Sequence, residues 1–212
     1  MKKFKALLVV ACALLLVAAS VFGTMAYLTS TDTVTNTFTV GKVNINLDEA
    51  KANTDGSLVE GADRVKANSY KLLPGHTYNK DPMVTVLSGS EPSYVKMTVT
   101  FSKANELDAI FAPDGADLTS IFNGYDAANW TAKGNTKDVT ANTRTYEFWY
   151  KEAVGAPTAD VTLDALFDSI TVPGTITGEQ LATIADMTIT VNAYAIQADG
   201  FANAEAAWEA IK

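Results

Sequence analysis

One histidine, His76, and one cysteine, Cys12, limit the chemistry open to this chain of 212 residues. His76 follows Leu73-Pro74-Gly75, a strong turn signal. No His-Glu-x-x-His occurs, so the imidazole pair that one helix face offers to zinc is missing. A catalytic zinc usually takes two or three histidines. Here His76 would need carboxylates to complete a site, and a solvated or capping side chain is its simpler reading. A Ser-His-Asp triad would also have to use His76. Ser88 and Ser90 are the next serines after it and flank Gly89, with no nucleophile elbow around them. The acidic stretches 114–117 and 160–164 lack the spacing of an EF-hand loop. A solvated acidic face explains them, with weak calcium binding as the alternative. The residues therefore call for no catalytic group, no metal and no cofactor.

Aromatic residues offer a different chemistry. Tyr146, Phe148, Trp149 and Tyr150 could stack on a sugar ring. Strand alternation places Trp149 on the face opposite Tyr146, Phe148 and Tyr150, which weakens that reading and favours core packing. Near the end of the chain, Phe201, Ala206, Trp208 and Ile211 have helical spacing and read as a docking face.

The elements that position these residues begin with a leader. Lys2, Lys3 and Lys5 precede an apolar run over 6–22, and Thr24-Met25-Ala26 puts small residues at the two positions a signal peptidase reads. Cleavage between Ala26 and Tyr27 is the expectation, giving a secreted domain over 27–212. The run of 17 residues is short of the ~20 of a spanning helix; an uncleaved anchor is the alternative, and the only expected contact with a membrane. Val9-Val10-Ala11-Cys12 resembles a lipoprotein box, but the apolar run continues past Cys12 instead of ending there. Without the leader the chain has no thiol, and a domain of 186 residues needs no disulfide to sustain a core. Three of the 16 basic residues lie in the leader and none of the 24 acidic ones does, so 27–212 carries about −11 at pH 7. That charge argues against nucleic acid and against binding anionic lipid by charge.

Behind the cleavage site, residues 34–40 alternate strictly. Val34, Asn36, Phe38 and Val40 share one face and Thr35, Thr37 and Thr39 the other. Gly41 interrupts the pattern, which Val43, Ile45 and Leu47 resume, as at a bulge or bend. Residues 48–70 read as an exposed polar loop with an Asp55-Gly56 turn. Residues 83–87 and 94–101 read as a hairpin, with Val95, Met97, Val99 and Phe101 inward. Residues 105–111 and 118–122 are helix-compatible and sit in a crossover. Further strands are expected at 130–133, 143–151, 167–172 and 187–197. A helix capped by Thr177 and a terminal helix over 202–211 complete the pattern. About eight period-two strands with long crossovers predict an all-β fold, a two-sheet antiparallel sandwich of jelly-roll type with short helices in crossovers and at the C-terminus.

Three stretches carry a resemblance. The leader runs into Gly23-Thr24-Met25-Ala26-Tyr27-Leu28-Thr29-Ser30-Thr31-Asp32 and then Thr35-Asn36-Thr37-Phe38-Thr39-Val40-Gly41-Lys42-Val43. The second is Leu73-Pro74-Gly75-His76-Thr77-Tyr78-Asn79-Lys80-Asp81-Pro82, followed by the strand over 94–101. The third is Ala193-Tyr194-Ala195-Ile196-Gln197-Ala198-Asp199-Gly200-Phe201 with Ala206-Ala207-Trp208. Together they resemble the TasA and camelysin (CalY) family of Gram-positive surface proteins; residues 103–180 match only loosely. The resemblance implies export with a SipW-type signal peptidase. It also implies a place at the cell surface or in the biofilm matrix, and fibres built by self-association or with related matrix subunits. On that reading 27–40 is a donor strand whose Val34, Phe38 and Val40 complete the sheet of the next subunit. A carbohydrate-binding adhesin using Trp149 and a camelysin-like metal-dependent peptidase using His76 are the alternatives.

Overall fold

The computed structural model describes residues 2–23, 41–111 and 122–211. They fall into two compact units. In the first, α1 (Lys2–Gly23) is a 22-residue helix carrying the exposed Cys12. Its apolar run of 17 residues rises only about 25 Å, less than the ~30 Å hydrocarbon layer. Among the described residues no helix is long and apolar enough to cross a membrane.

The second unit is mostly β, with three antiparallel sheets and a few short helices. The largest sheet has the order β10–β4–β7–β6, from Ile189–Gln197, Ser93–Ser102, Thr143–Tyr150 and Trp130–Asp138. In β4 every second residue from Ser93 to Phe101 is buried, so Val95, Met97, Val99 and Phe101 point inward as expected. The second sheet joins β1 (Ile45–Asp48), β3 (Met83–Val86) and β8 (Val161–Thr162). The third joins β2 (Thr77–Asn79), β9 (Ser169–Thr171) and β5 (Phe122–Asn123). Backbone bonds link the two small sheets: Leu163 N–H donates to the Val84 carbonyl, Leu166 N–H to Pro82 and Lys80 N–H to Asp168. Val84, Met97, Phe101, Phe148, Phe167 and Ile170 share one core, which draws on all three sheets.

The expected hairpin over 83–101 does not form. β3 pairs with β1 and β8, whereas β4 pairs with β10 and β7. The segment between them crosses from one sheet to another. Both strands alternate correctly, but alternation says nothing about partner choice. Residues 130–133 extend into a nine-residue strand, β6, with a bulge between Ala132 and Gly134.

The helices sit where their end signals place them. α2 (Ala104–Phe111) buries Ala104 and Leu107, and its Asp108 receives Arg144 at 2.6 Å and Lys137 at 2.8 Å. α3 (Gly178–Thr183) starts at Thr177, whose hydroxyl accepts from Gln180 N–H while Gln180 Oε1 accepts from Thr177 N–H. This reciprocal cap should make Thr177→Ala cost about 1 kcal/mol, read as a lower urea midpoint at unchanged slope. α4 (Ala204–Glu209) buries Ala207 and Trp208, but Ile211 is exposed, so the docking face is narrower than its helical spacing implied. The segment 118–121 lies outside the described residues, and Phe122 opens β5 instead of closing a helix.

Candidate functional site

Two strand edges meet along one seam. β10 pairs with β4 from Ile189↔Phe101 to Gln197↔Ser93 without a break, and among the described residues nothing pairs with its other edge. Among the described strands β1 pairs with β3 alone, and Lys66 Nζ donates to its Leu47 carbonyl. Its extended chain reaches back to Lys42, because Leu87 N–H donates to Asn44 and Glu91 N–H to Lys42. β1 and β10 border the same groove and are not hydrogen-bonded to each other.

Cavities open along that seam. The larger, of about 1040 Å³, has Leu47, Leu72, Leu107, Phe111, Ile184 and Val191 in its wall. The smaller, of about 340 Å³, lies between Gly41–Val43 on one side and Ala195–Gln197 with Phe201 on the other. Period-two geometry explains the lining: Ile189, Val191, Ala193 and Ala195 are half-buried on the groove side, while Thr190, Asn192 and Tyr194 are exposed on the other. A trough with apolar walls beside the β10 edge, which no described strand pairs, can accept an extended peptide. Main-chain bonds would supply affinity, and alternate side chains would fill the trough.

The two edges of the large sheet are unlike. β10 and the threonine before it, residues 188–197, contain no charge, proline or glycine. β6 carries Lys133, Lys137, Asp138 and a bulge beside Gly134, the usual means of blunting an edge. Sequence reading found β10 as a strand but not as an edge. The signal was there in the absence of any charge over ten residues.

The loop 49–70 forms one bank of the groove and is tied down more firmly than an exposed loop. Glu49 and Val65 exchange backbone bonds of 2.9 and 2.7 Å. Arg64 spans Asp48 and Asp81 at 2.5 and 2.8 Å. Gly56, at φ +89°, tucks beneath β2, where a Cβ would lie 2.7 Å from the Thr77 carbonyl oxygen; no other residue fits.

The residues singled out for chemistry are dispersed. His76 is exposed, its N–H donating to Leu73. Ser90 is buried and accepts from Asn44 N–H. Asp160 accepts from Ser88 N–H, and Asp164 from Asn129 Nδ2. Among the described residues no three His, Cys, Asp or Glu side chains group to hold a metal. Trp149 is 7 % exposed, on the opposite face from Tyr146 and Phe148 as alternation required. Lys133 lies over its ring at 4.1 Å and Trp208 of α4 packs beside it at 6.3 Å. The cleavage pair Ala26 and Tyr27, the strand residues Val34, Phe38 and Val40, and the acidic stretch 114–117 all lie outside the described residues.

The fold and groove define a mostly β protein of three antiparallel sheets in which, among the described residues, the outer edge of β10 is unpaired. No family model, curated protein or solved structure matches the chain.

Proposed function

We propose that this chain is a secreted structural subunit that assembles by strand addition into fibres at the cell surface or in a biofilm matrix, as a member of the TasA and camelysin family. The supporting observation is that β10 is uncharged and, among the described residues, unpaired along the edge that borders β1 across an apolar trough. The proposed occupant is the segment 27–40, which carries Tyr27, Leu28, Val34, Phe38 and Val40, supplied by another copy. Residues 77–86 run antiparallel to 161–171 through the linking bonds, so the two small sheets would form one layer and the β10–β4–β7–β6 sheet the other. That arrangement is a two-layer sandwich, with the jelly-roll connection as its proposed topology.

Magnitudes make assembly conditional. Burying four or five apolar side chains yields on the order of 6–15 kcal/mol gross. Association costs roughly 4–15 kcal/mol. Polymerisation should therefore depend on concentration, nucleation or a partner subunit. Export would release the segment through a SipW-type signal peptidase cutting between Ala26 and Tyr27. Negative-stain microscopy of residues 27–212 tests the reading. Filaments are expected from the parent and none from the double variant Phe38→Asp, Val40→Asp, whose circular dichroism should remain that of the parent. Persistent filaments in the variant would exclude this segment as the donor.

A further inference from the structure

Three side chains on the bank of the groove form a closed set that strand addition does not use. Lys80, between β2 and β3, donates from Nζ to Glu49 Oε2 at 2.5 Å. Asn68 donates from Nδ2 to Glu49 Oε1 at 3.0 Å. One carboxylate thus bridges an amine and a carboxamide. The carboxamide is fixed elsewhere too: Nδ2 also donates to the Ala50 carbonyl at 2.9 Å, and Oδ1 accepts from Ala52 N–H at 2.9 Å. Glu49 is 6 % and Lys80 8 % exposed, and Leu47, Tyr70 and Pro82 stand in the same wall. The Tyr70 phenol, donating to the Asn79 carbonyl at 2.6 Å, is pushed above its ordinary range by burial and by the Glu49 carboxylate.

A buried ion pair alone contributes little to stability, because desolvation offsets the Coulomb gain. It also gives no reason for a carboxamide on the same carboxylate with its carbonyl oxygen on a backbone N–H. Those are the parts of an acyl transfer. An amine is the nucleophile, and an amide carbon is the electrophile. A carboxyl group touching both nitrogens can move protons between them. A backbone N–H stands where negative charge develops on oxygen.

We propose that Lys80 and Asn68 become joined by an intramolecular amide bond, with Glu49 as the catalytic proton carrier. Lys80 passes a proton from Nζ to the Glu49 carboxylate, leaving two neutral groups in a closed site. The free amine attacks Asn68 Cγ, and Ala52 N–H holds the oxyanion. The Glu49 carboxyl protonates Nδ2 and takes the surplus proton from Nζ. The Nζ–Cγ bond forms, the Cγ–Nδ2 bond breaks, and ammonia leaves. Atoms and charge balance with no oxidant, reductant or co-reactant. The product ties residue 68 to residue 80 and fixes the groove's bank to the strand beside it. It stands whether or not the groove accepts a strand.

Intact-mass measurement of the purified full chain, fresh and after prolonged incubation, should show one ammonia less than the sequence requires. Trypsin should then release residues 67–71 covalently attached to residues 72–96, with no cleavage after Lys80. Glu49→Gln, which keeps the shape of the side chain, should stay folded with the full mass and yield residues 67–71, 72–80 and 81–96 as separate peptides. A full mass in the parent after incubation overturns the proposal. So does an ammonia loss confined to Asn68 with the peptides unlinked, since that is succinimide formation. A cross-link that persists in Glu49→Gln removes Glu49 from the catalytic role.

Discussion

Filaments of the purified chain are expected to need at least ~100-fold more protein once Ala193 is replaced by lysine. Ala193 pairs with the buried Met97 and is half-buried on the groove side of β10, between the two cavities. An added strand would cover it. In the free protein a lysine stem can lie along the trough with its ammonium in water, so the domain should fold. In the assembly the same ammonium is enclosed, at an effective penalty of several kcal/mol. Each 1.4 kcal/mol is tenfold in affinity, so two decades is a lower bound. An inward-pointing charge on an edge strand is also how natural sheets prevent pairing. Asn192→Lys is the control, because Asn192 is exposed on the opposite face and should leave the filament threshold unchanged. Unaltered filaments from Ala193→Lys would exclude this groove as the acceptor.

The largest expected loss of stability belongs to Trp208. Its ring is 1 % exposed and lies against Trp149, with Lys96 over it at 4.6 Å. Lys96 also reaches Glu147 at 3.3 Å, and Glu147 accepts from Trp149 Nε1 at 2.6 Å. Lys133 joins the cluster from β6 and binds Glu205 of α4 at 2.9 Å. Trp208→Ala removes the ring that closes this face and should cost about 3–5 kcal/mol. In a chain of this size that lowers Tm by roughly 6–20 °C. It should also expose Trp149 and shift its emission to longer wavelength. Trp208→Phe should cost far less. The Trp208 Nε1–H is buried with no hydrogen-bond partner, a defect worth about 1–3 kcal/mol that phenylalanine does not have. Equal losses for the two variants would mean that the indole N–H matters after all.

Much of the strand content was legible because period-two alternation reports burial directly. Val95, Met97, Val99 and Phe101 point inward as read, and Thr177 caps α3 with both halves of its capping box. Pairing was not legible. The turn signals at 88–92 fit a hairpin and a crossover equally, and only the core shared by the sheets decides between them. Gly134 and Asn135 end the strand expected over 130–133, yet β6 continues to Asp138, since an edge strand needs no apolar outer face. The loop 48–70 was read as exposed because its residues are polar. Most of that loop is exposed, but Glu49 is polar and nevertheless buried, since Asn68 and the buried Lys80 satisfy its carboxylate. The groove needed two strands distant in sequence to lie side by side, which no local pattern encodes.

α4 follows β10 after a short turn at Gly200, φ +88°, and its Trp208 is seated on the sheet face next to Tyr194 and Lys96. A uniform strand without bulge or glycine has little of its own to stop it slipping by two residues, a shift that keeps every side chain on its proper face. Here such a slip would drag the indole off Trp149 by about 7 Å, roughly two residues of strand rise. The terminal helix is therefore a register pin. The strand whose outer edge no described strand pairs is held from its end, so its alignment does not depend on gaining a neighbour.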